Sequence, residues 1–269
     1  MTMGNLDSQI LSFLKLLSEL GSETEFQKIQ IEPQALSPAP SPEPRKKLPS
    51  SSGPLVGFVP QSEIWLELGP PTLPSIHLLL STDDTALVNK NQVTVLGDDL
   101  NQLPHGTYPF AQVILVAGCR LTDRQETAIS SRIAQTYQAQ GCMYRASQGR
   151  IWLRLRKGTI ESGLNFRALG QALFQSIYTQ IPEVESCEAV FITSDPQTVG
   201  KIVSFSEGVY RARREILKER FQRVGKDIYE CDNPVDCESC SDGPVCDLIK
   251  ETVQVIKKRR EEFFGKEKP

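Results

Sequence analysis

The sequence is short of the residues and motifs on which many catalytic and binding sites are built. It contains only two histidines, His77 and His105, and neither stands in a pattern typical of a hydrolytic triad. It has no GxxxxGKS/T or GxGxxG motif, so neither common glycine-rich phosphate loop is present. The 30 Lys and Arg residues against 33 Asp and Glu give a net charge of -3. That balance argues against a protein that binds nucleic acid in bulk, because such proteins carry a basic excess.

Long apolar runs are also missing. No segment approaches eighteen continuous apolar residues, and the N-terminus lacks the basic start and apolar core of a signal peptide. We therefore expect a soluble, unexported chain with no membrane span. Three of the seven cysteines are isolated, namely Cys119, Cys142 and Cys187. We interpret them as small core residues in a reducing, cytoplasmic compartment.

The other four cysteines are clustered in the run CDNPVDCESCSDGPVC near the C-terminus. They are Cys231, Cys237, Cys240 and Cys246, separated by five, two and five residues. Short loops turned by proline and glycine bring four thiolates together at small entropic cost. Four cysteines suit either an iron-sulfur cluster or zinc. Because one CxxC is flanked by single cysteines, the spacing favours a four-iron four-sulfur cluster, with zinc as the alternative.

The chain divides into four stretches: 1–31, an amphipathic helix; 32–54, a Pro/Ser-rich linker; 55–225, an α/β body; and 226–269, a Cys-rich segment with a C-terminal helix. The apolar stripe of the first helix comprises Leu6, Ile10, Phe13, Leu14, Leu17 and Leu20. Two interpretations of this helix stay open: it folds back on the body, or it docks onto a protein partner.

Strand and helix patterns alternate through the body. Strands are predicted at 76–80, 93–96, 112–117, 151–155 and 190–193, and helices at 122–140, 166–177 and 196–223. Thr122 to Gln125 matches a capping box at the start of the predicted helix 122–140. The predicted fold class is α/β or α+β, with a mixed sheet and flanking helices, and the strand order stays open.

The predicted strand RIWLRLR carries a chemical suggestion. Strict alternation places Arg150, Trp152, Arg154 and Arg156 on the face opposite Ile151, Leu153 and Leu155, with Arg145 and Lys157 near by. Guanidinium groups bind phosphate oxygens, and an indole can stack on a base, so this face suits a phosphate-bearing nucleotide such as coenzyme A. The alternative is a polar strand face that is solvated or paired with acidic neighbours.

Several stretches together resemble a known family, the β subunit of the carbon monoxide dehydrogenase/acetyl-CoA synthase complex. The resemblance covers roughly residues 60 to 250 and ends in the CxxC motif with a third cysteine after a short loop. The stretches that carry it are LGPPTLPS (68–75), VTVLGDDL (93–100), VAGCRL (116–121), GCMYRASQGRIWLRLRK (141–157), FITSDP (191–196) and CESCSDGPVC (237–246).

The resemblance implies metal and ligand sites. In the family, cysteines hold a four-iron four-sulfur cluster joined by a bridging thiolate to a dinickel site where acetyl-CoA is assembled. Cys237, Cys240 and Cys246 match the first three cluster cysteines, Cys240 the bridging one, and Cys231 would be the fourth ligand. The family's Cys-Gly-Cys nickel tripeptide is absent from this sequence, so no nickel is expected. Trp152, Arg150, Arg154 and Arg156 match the residues implied in coenzyme A binding.

The resemblance implies an iron-sulfur protein with an accessory, electron-transfer or regulatory role in anaerobic one-carbon and acetyl-CoA metabolism. Its partners would be redox or carbon monoxide dehydrogenase-type subunits. Two alternatives stay open. One is a working acyltransferase subunit of the CO-methylating acetyl-CoA synthase type whose nickel ligands come from a partner. The other is a zinc-stabilised interaction module. Whether the chain is an enzyme is therefore undecided by the sequence.

Overall fold

A computed structural model of the chain describes residues 4–22, 26–32, 59–147 and 149–226. The chain divides into two compact units, Met1–Val209 and Tyr210–Pro269. Every strand of the described residues lies in the first unit, and the described part of the second, 210–226, is helical. The predicted linker 32–54 and the Cys-rich segment 226–269 lie, after their first residues, outside the described residues.

The described residues form nine strands and five α-helices. The strands are β1 (Phe26–Gln30), β2 (Ile64–Leu68), β3 (Ser75–Thr82), β4 (Gln92–Gly97), β5 (Gly106–Tyr108), β6 (Phe110–Ala117), β7 (Met143–Ser147), β8 (Arg150–Arg156) and β9 (Ser186–Thr193). The helices are α1 (Gly4–Gly21), α2 (Asp123–Ala139), α3 (Lys157–Glu161), α4 (Phe166–Gln180) and α5 (Pro196–Lys226). All five predicted strands and all three predicted helices of the body are among them, so those predictions are confirmed.

The first sheet has five strands in the order β1-β4-β9-β6-β3. Its pairs alternate: β1 with β4 and β9 with β6 are antiparallel, while β4 with β9 and β6 with β3 are parallel. Every residue of β3, β6 and β9 is buried. Such near-continuous apolar runs are typical of strands covered on both faces.

The second sheet has four strands in the order β5-β2-β8-β7. β2 pairs parallel to β5 and antiparallel to β8, and β8 pairs antiparallel to β7. Buried apolar side chains of both sheets, α2 and α4 form one continuous core. The fold is therefore α+β, with two mixed sheets and flanking helices, which confirms the predicted fold class.

Helix α1 packs on the first sheet. Ile10, Phe13 and Leu20 are almost completely buried, and the Phe13 ring lies 5.8 Å from that of Phe205 in the first-unit part of α5. Four members of the apolar stripe that suggested a docking helix, Ile10, Phe13, Leu17 and Leu20, are thus buried within the chain itself. Of the two open interpretations, the structure shows the one in which the helix folds back.

Polar contacts fix the beginning of α1 as well. Asp7 accepts a hydrogen bond from the Thr82 hydroxyl at 2.7 Å and pairs with Arg120 at 3.0 Å. Arg120 also pairs with Asp83 at 2.9 Å. These contacts join α1 to the ends of β3 and β6.

The helices begin at the residues that local chemistry favours. Thr122 and Gln125 form the predicted capping box of α2, and the Asn165 side chain accepts a hydrogen bond from the Ala168 amide at the start of α4. Such caps satisfy amide groups that have no partner in the first helical turn. None of the described helices is both long enough and apolar enough to cross a bilayer.

Candidate functional site

The outer face of the second sheet carries the residues singled out from the sequence. On β8, Ile151, Leu153 and Leu155 are buried, whereas Trp152 and Arg154 are half-buried on the opposite face. The alternation predicted for RIWLRLR is therefore confirmed. Because β8 is a central strand, its outer side chains are flanked by those of β2 and β7.

Trp152 is the centre of this face. The Arg154 guanidinium carbon lies 4.4 Å from the Trp152 ring centroid, and that of Arg145, its cross-strand neighbour on β7, lies 5.5 Å from it. Both distances are within the range of cation–π interactions. We call Arg145, Trp152, Arg154 and Glu67 the indole cluster.

Glu67 of β2 connects the members of the indole cluster on β8. One of its oxygens, Oε1, accepts hydrogen bonds from Trp152 Nε1 at 2.9 Å and from Arg154 Nε at 2.7 Å. Only 16% of the Glu67 side chain and 18% of the Arg154 side chain are exposed. This ion pair is therefore shielded enough to hold a fixed geometry, unlike a pair between fully solvated side chains.

The charges of the indole cluster do not cancel. Two guanidinium groups face one carboxylate, and Arg145 has no ion-pair partner among the described residues. Arg154 uses Nε for Glu67, and its terminal Nη1 and Nη2 groups have no acceptor within the described part of the chain. The cluster thus presents unused guanidinium donors and a net positive charge.

Arg156 lies at the end of the same face and is paired with an acidic neighbour. Its Nε is 2.6 Å from Glu63 Oε2. Next to this pair, Lys157 Nζ lies 5.1 Å from the Trp65 ring centroid, and the His105 ring lies 4.9 Å from it. The alternative of acidic pairing is thus realised at Arg154 and Arg156, and it leaves Arg145 unpaired.

Arg150 has a different place from the other predicted residues. Its Nη2 donates to the Leu73 carbonyl at 2.8 Å and, at longer distances, to the carbonyls of Pro70 and Pro71. These contacts tie β8 to the turn between β2 and β3. The structure therefore brings Trp152 and Arg154 together and directs Arg150 to the backbone of that turn; its contribution to ligand binding stays a prediction.

The sequence interpretation did not include Glu67, because β2 was not predicted. A signal for β2 was present: in IWLEL, Ile64, Leu66 and Leu68 alternate with Trp65 and Glu67. Such alternation is typical of a half-buried strand. What the sequence could not show is that β2 pairs with β8 and brings Glu67 opposite Arg154.

The cysteine predictions fall in two groups. Cys231, Cys237, Cys240 and Cys246 lie outside the described residues. Cys142 and Cys187 are buried, and Cys119 is half-buried against the core, as expected for isolated core cysteines. Burial raises the pKa of the Cys142 thiol to about 12 and also raises the pKa of Cys187. Among the described residues there is no group of three or more His, Cys, Asp or Glu side chains that could hold a metal.

The fold and the outer face of the second sheet together define the class of protein. It is an α+β domain with a buried mixed sheet and a second sheet whose outer face is basic and centred on Trp152. Residues 57–199 match the family model of the CO dehydrogenase/acetyl-CoA synthase complex beta subunit. The match covers more than half of the chain and includes the whole second sheet. The chain therefore belongs to this family.

Curated relatives agree with the family match. The chain is 27% identical over 164 residues to acetyl-CoA decarbonylase/synthase complex subunit beta 1 of Methanocaldococcus jannaschii. This alignment covers 60% of the chain and 21% of the relative. It is 28% identical over 194 residues to the acetyl-CoA decarbonylase/synthase complex subunit beta of Archaeoglobus fulgidus, and this alignment covers 69% of the chain and 35% of the relative. For subunit beta 1 of the same complex in Methanosarcina mazei the identity is 25% over 185 residues, and the alignment covers 68% of the chain and 38% of the relative. The chain thus spans between about a fifth and two fifths of the length of these relatives.

Proposed function

We propose that the chain is an iron-sulfur accessory member of its family that binds coenzyme A through the indole cluster and carries no nickel centre of its own. Its role would be electron transfer or regulation in anaerobic one-carbon and acetyl-CoA metabolism, together with redox or carbon monoxide dehydrogenase-type subunits. The observation that carries the coenzyme A part of the proposal is the indole cluster, with two guanidinium groups on one indole and only one carboxylate.

Phosphate groups suit the donors that the indole cluster leaves unused. The free Nη1 and Nη2 groups of Arg154 form a planar fork, and a guanidinium fork matches two oxygens of one phosphate. Arg145 supplies a second charge on the same ring. Coenzyme A carries a 3′-phosphate and a diphosphate, so it offers several oxygens to two arginines.

The structure changes the part that Trp152 plays in this proposal. The Arg154 guanidinium covers one region of the indole ring at 4.4 Å. A base could stack there only by displacing that guanidinium and its hydrogen bond to Glu67. We therefore assign Trp152 the role of a platform for arginine, with the phosphates as the principal ligand groups.

The four clustered cysteines fit an iron-sulfur cluster by their chemistry. Thiolates are the usual ligands of iron in such clusters, and Cys231, Cys237, Cys240 and Cys246 supply four of them in one short segment. A bound cluster would supply one-electron transfer. The sequence contains no Cys-Gly-Cys tripeptide, so the donor set for a square-planar nickel ion does not fit and we derive no nickel chemistry.

Titration with coenzyme A tests the part of the proposal that rests on the indole cluster. By calorimetry at low salt we expect Trp152→Ala combined with Arg154→Ala to weaken binding at least tenfold, because a platform and a charge-assisted donor are lost together. Dephospho-coenzyme A should bind more weakly than coenzyme A to the unchanged protein.

The control is Arg124→Ala, which removes one exposed arginine from the first turn of α2, outside the indole cluster. It should leave the affinity within about twofold, since distant solvent-exposed charges are screened. Equal affinity of the double variant and the unchanged protein would disprove the assignment of coenzyme A to this face.

A further inference from the structure

We propose that Glu67 is the positioning residue of the indole cluster, and that it sets how strongly the cluster binds an anion. This inference rests on the proposed function for its ligand, because it concerns the same face of the second sheet. The positioning itself is argued from the hydrogen bonds that Glu67 accepts from Trp152 and Arg154. No feature of the sequence had singled this residue out.

A single oxygen of Glu67 determines the arrangement. Oε1 accepts from both Trp152 Nε1 and Arg154 Nε, at 2.9 and 2.7 Å. The two donors belong to residues i and i+2 of β8, whose side chains lie on one face of the strand. Sharing one acceptor therefore draws the guanidinium onto the indole, where its carbon is 4.4 Å from the ring centroid.

Positioning in this way decides which guanidinium donors Glu67 occupies and which it leaves for a ligand. Arg154 meets Glu67 through Nε, so its Nη1 and Nη2 groups remain at the far end of the planar group. Without the carboxylate, the flexible arginine stem would sample other rotamers, and a ligand would have to order it again. Glu67 thus prepares the donor fork before any anion arrives.

The same carboxylate also opposes binding, because its negative charge lies beside the site of an anion. Only 16% of the Glu67 side chain is exposed, so water screens this charge less than it would on an open surface. The two effects of Glu67 have opposite signs. Removing its charge while keeping its oxygen should strengthen anion binding, whereas removing the oxygen should weaken it.

Two substitutions separate these effects. In Glu67→Gln the amide oxygen can still accept from Trp152 and Arg154, but the charge is gone. In Glu67→Ala both are gone. We expect coenzyme A to bind about threefold to tenfold tighter to the Gln variant and about tenfold weaker to the Ala variant. A role through charge alone predicts equal gains for both variants, so an Ala variant that binds as tightly as the Gln variant would overturn the inference.

Glu19→Gln is the matched control, because it removes an exposed carboxylate from α1, a helix that packs on the first sheet. It should change the affinity by less than about twofold. Adenosine 3′,5′-bisphosphate serves as a second probe, since it carries phosphates without the pantetheine arm. The Gln and Ala variants should change its affinity in the same order as that of coenzyme A.

A readout without ligand tests the geometry directly. The chain has two tryptophans, so an ¹⁵N–¹H spectrum shows two indole signals, which Trp65→Phe assigns. In Glu67→Ala the Trp152 indole proton should move upfield because it loses its carboxylate acceptor, while the Trp65 signal stays. In Glu67→Gln it should remain hydrogen-bonded. A Trp152 signal that is unmoved in the Ala variant would refute the positioning role.

The two readouts also distinguish failure of this inference from failure of the proposed function. If coenzyme A binds no form of the protein while the Trp152 signal moves as expected, the proposed ligand is wrong and Glu67 still positions the cluster. If coenzyme A binds but the Gln and Ala variants respond alike, the ligand stands and the positioning role falls. Thermal unfolding of each variant shows that the fold is retained.

Discussion

Phe13→Ala is the substitution that most directly tests the packing of α1 on the first sheet. The Phe13 side chain is fully buried and its ring lies 5.8 Å from the Phe205 ring. Truncating a buried phenylalanine to alanine removes its apolar area and leaves a cavity, at a cost of about 3–5 kcal/mol. We expect the variant to lose this much free energy of unfolding, with a decrease in Tm on the order of 10 °C.

Leu11→Ala on the same helix is the matched control. Leu11 is 53% exposed, so its truncation should change the free energy of unfolding by less than about 0.5 kcal/mol. Urea unfolding followed by far-UV circular dichroism measures both variants. Equal, small effects at the two positions would show that α1 is not packed on the sheet in solution, and would return the helix to the role of a docking element.

Two further predictions concern titratable groups. Burial lowers the pKa of His77 to about 4, so the unfolded chain binds the extra proton more readily and stability should fall as the pH is lowered from about 6.5 towards 4, by up to about 3 kcal/mol. Urea unfolding at pH 7 and pH 4.5 should show this loss in the unchanged protein and in His105→Gln but a smaller one in His77→Gln; an identical loss in all three proteins would contradict the assignment. At the start of α5, hydrogen bonds from the Thr198 hydroxyl and amide lower the pKa of Asp195 to about 2. The ionised Asp195 carboxylate therefore contributes fully to the free energy of unfolding above about pH 4, and this contribution is lost as the pH falls through about 2. Asp195 caps this helix, because its Oδ1 accepts hydrogen bonds from the Gln197 and Thr198 amides at 2.7 and 3.0 Å. Asp195→Ala should lower the free energy of unfolding by about 1 kcal/mol at pH 7, and an unchanged Tm would show that this cap does not stabilise the helix.

Local chemistry made part of the fold predictable from the sequence. The capping box at Thr122 is complete within four residues, and the alternation of β8 needs no partner strand to be recognised. Both signals depend on side chains near one another in the chain. The helices and strands that carry such signals were predicted within a few residues of their bounds.

Long-range pairing is what the sequence could not supply. β9 lies between β4 and β6, although about 70 to 90 residues separate them along the chain. For the candidate site, the consequence is that Trp152 and Arg154 were found from alternation but Glu67, their shared acceptor on β2, was not. Arg150 shows the converse, because its residue type suggested phosphate while its contacts are with backbone carbonyls.

The family match and the fold do not have the same extent. Residues 57–199 include β2 to β9, whereas α1 and β1 lie outside the match. Yet β1 completes the first sheet by pairing with β4, and α1 packs on that sheet with Ile10, Phe13, Leu17 and Leu20 buried. The N-terminal residues are therefore part of the folded unit in this chain, and Phe13→Ala measures how much they contribute.

Metal and sulfide analysis of protein purified without oxygen tests most directly the proposal that the chain is an iron-sulfur member of its family without nickel. We predict about four irons and four acid-labile sulfides per chain, lost in Cys240→Ala and retained in Cys142→Ala, whose thiol is an isolated core residue. One zinc with no sulfide, or nickel bound beside the iron, would contradict the claim.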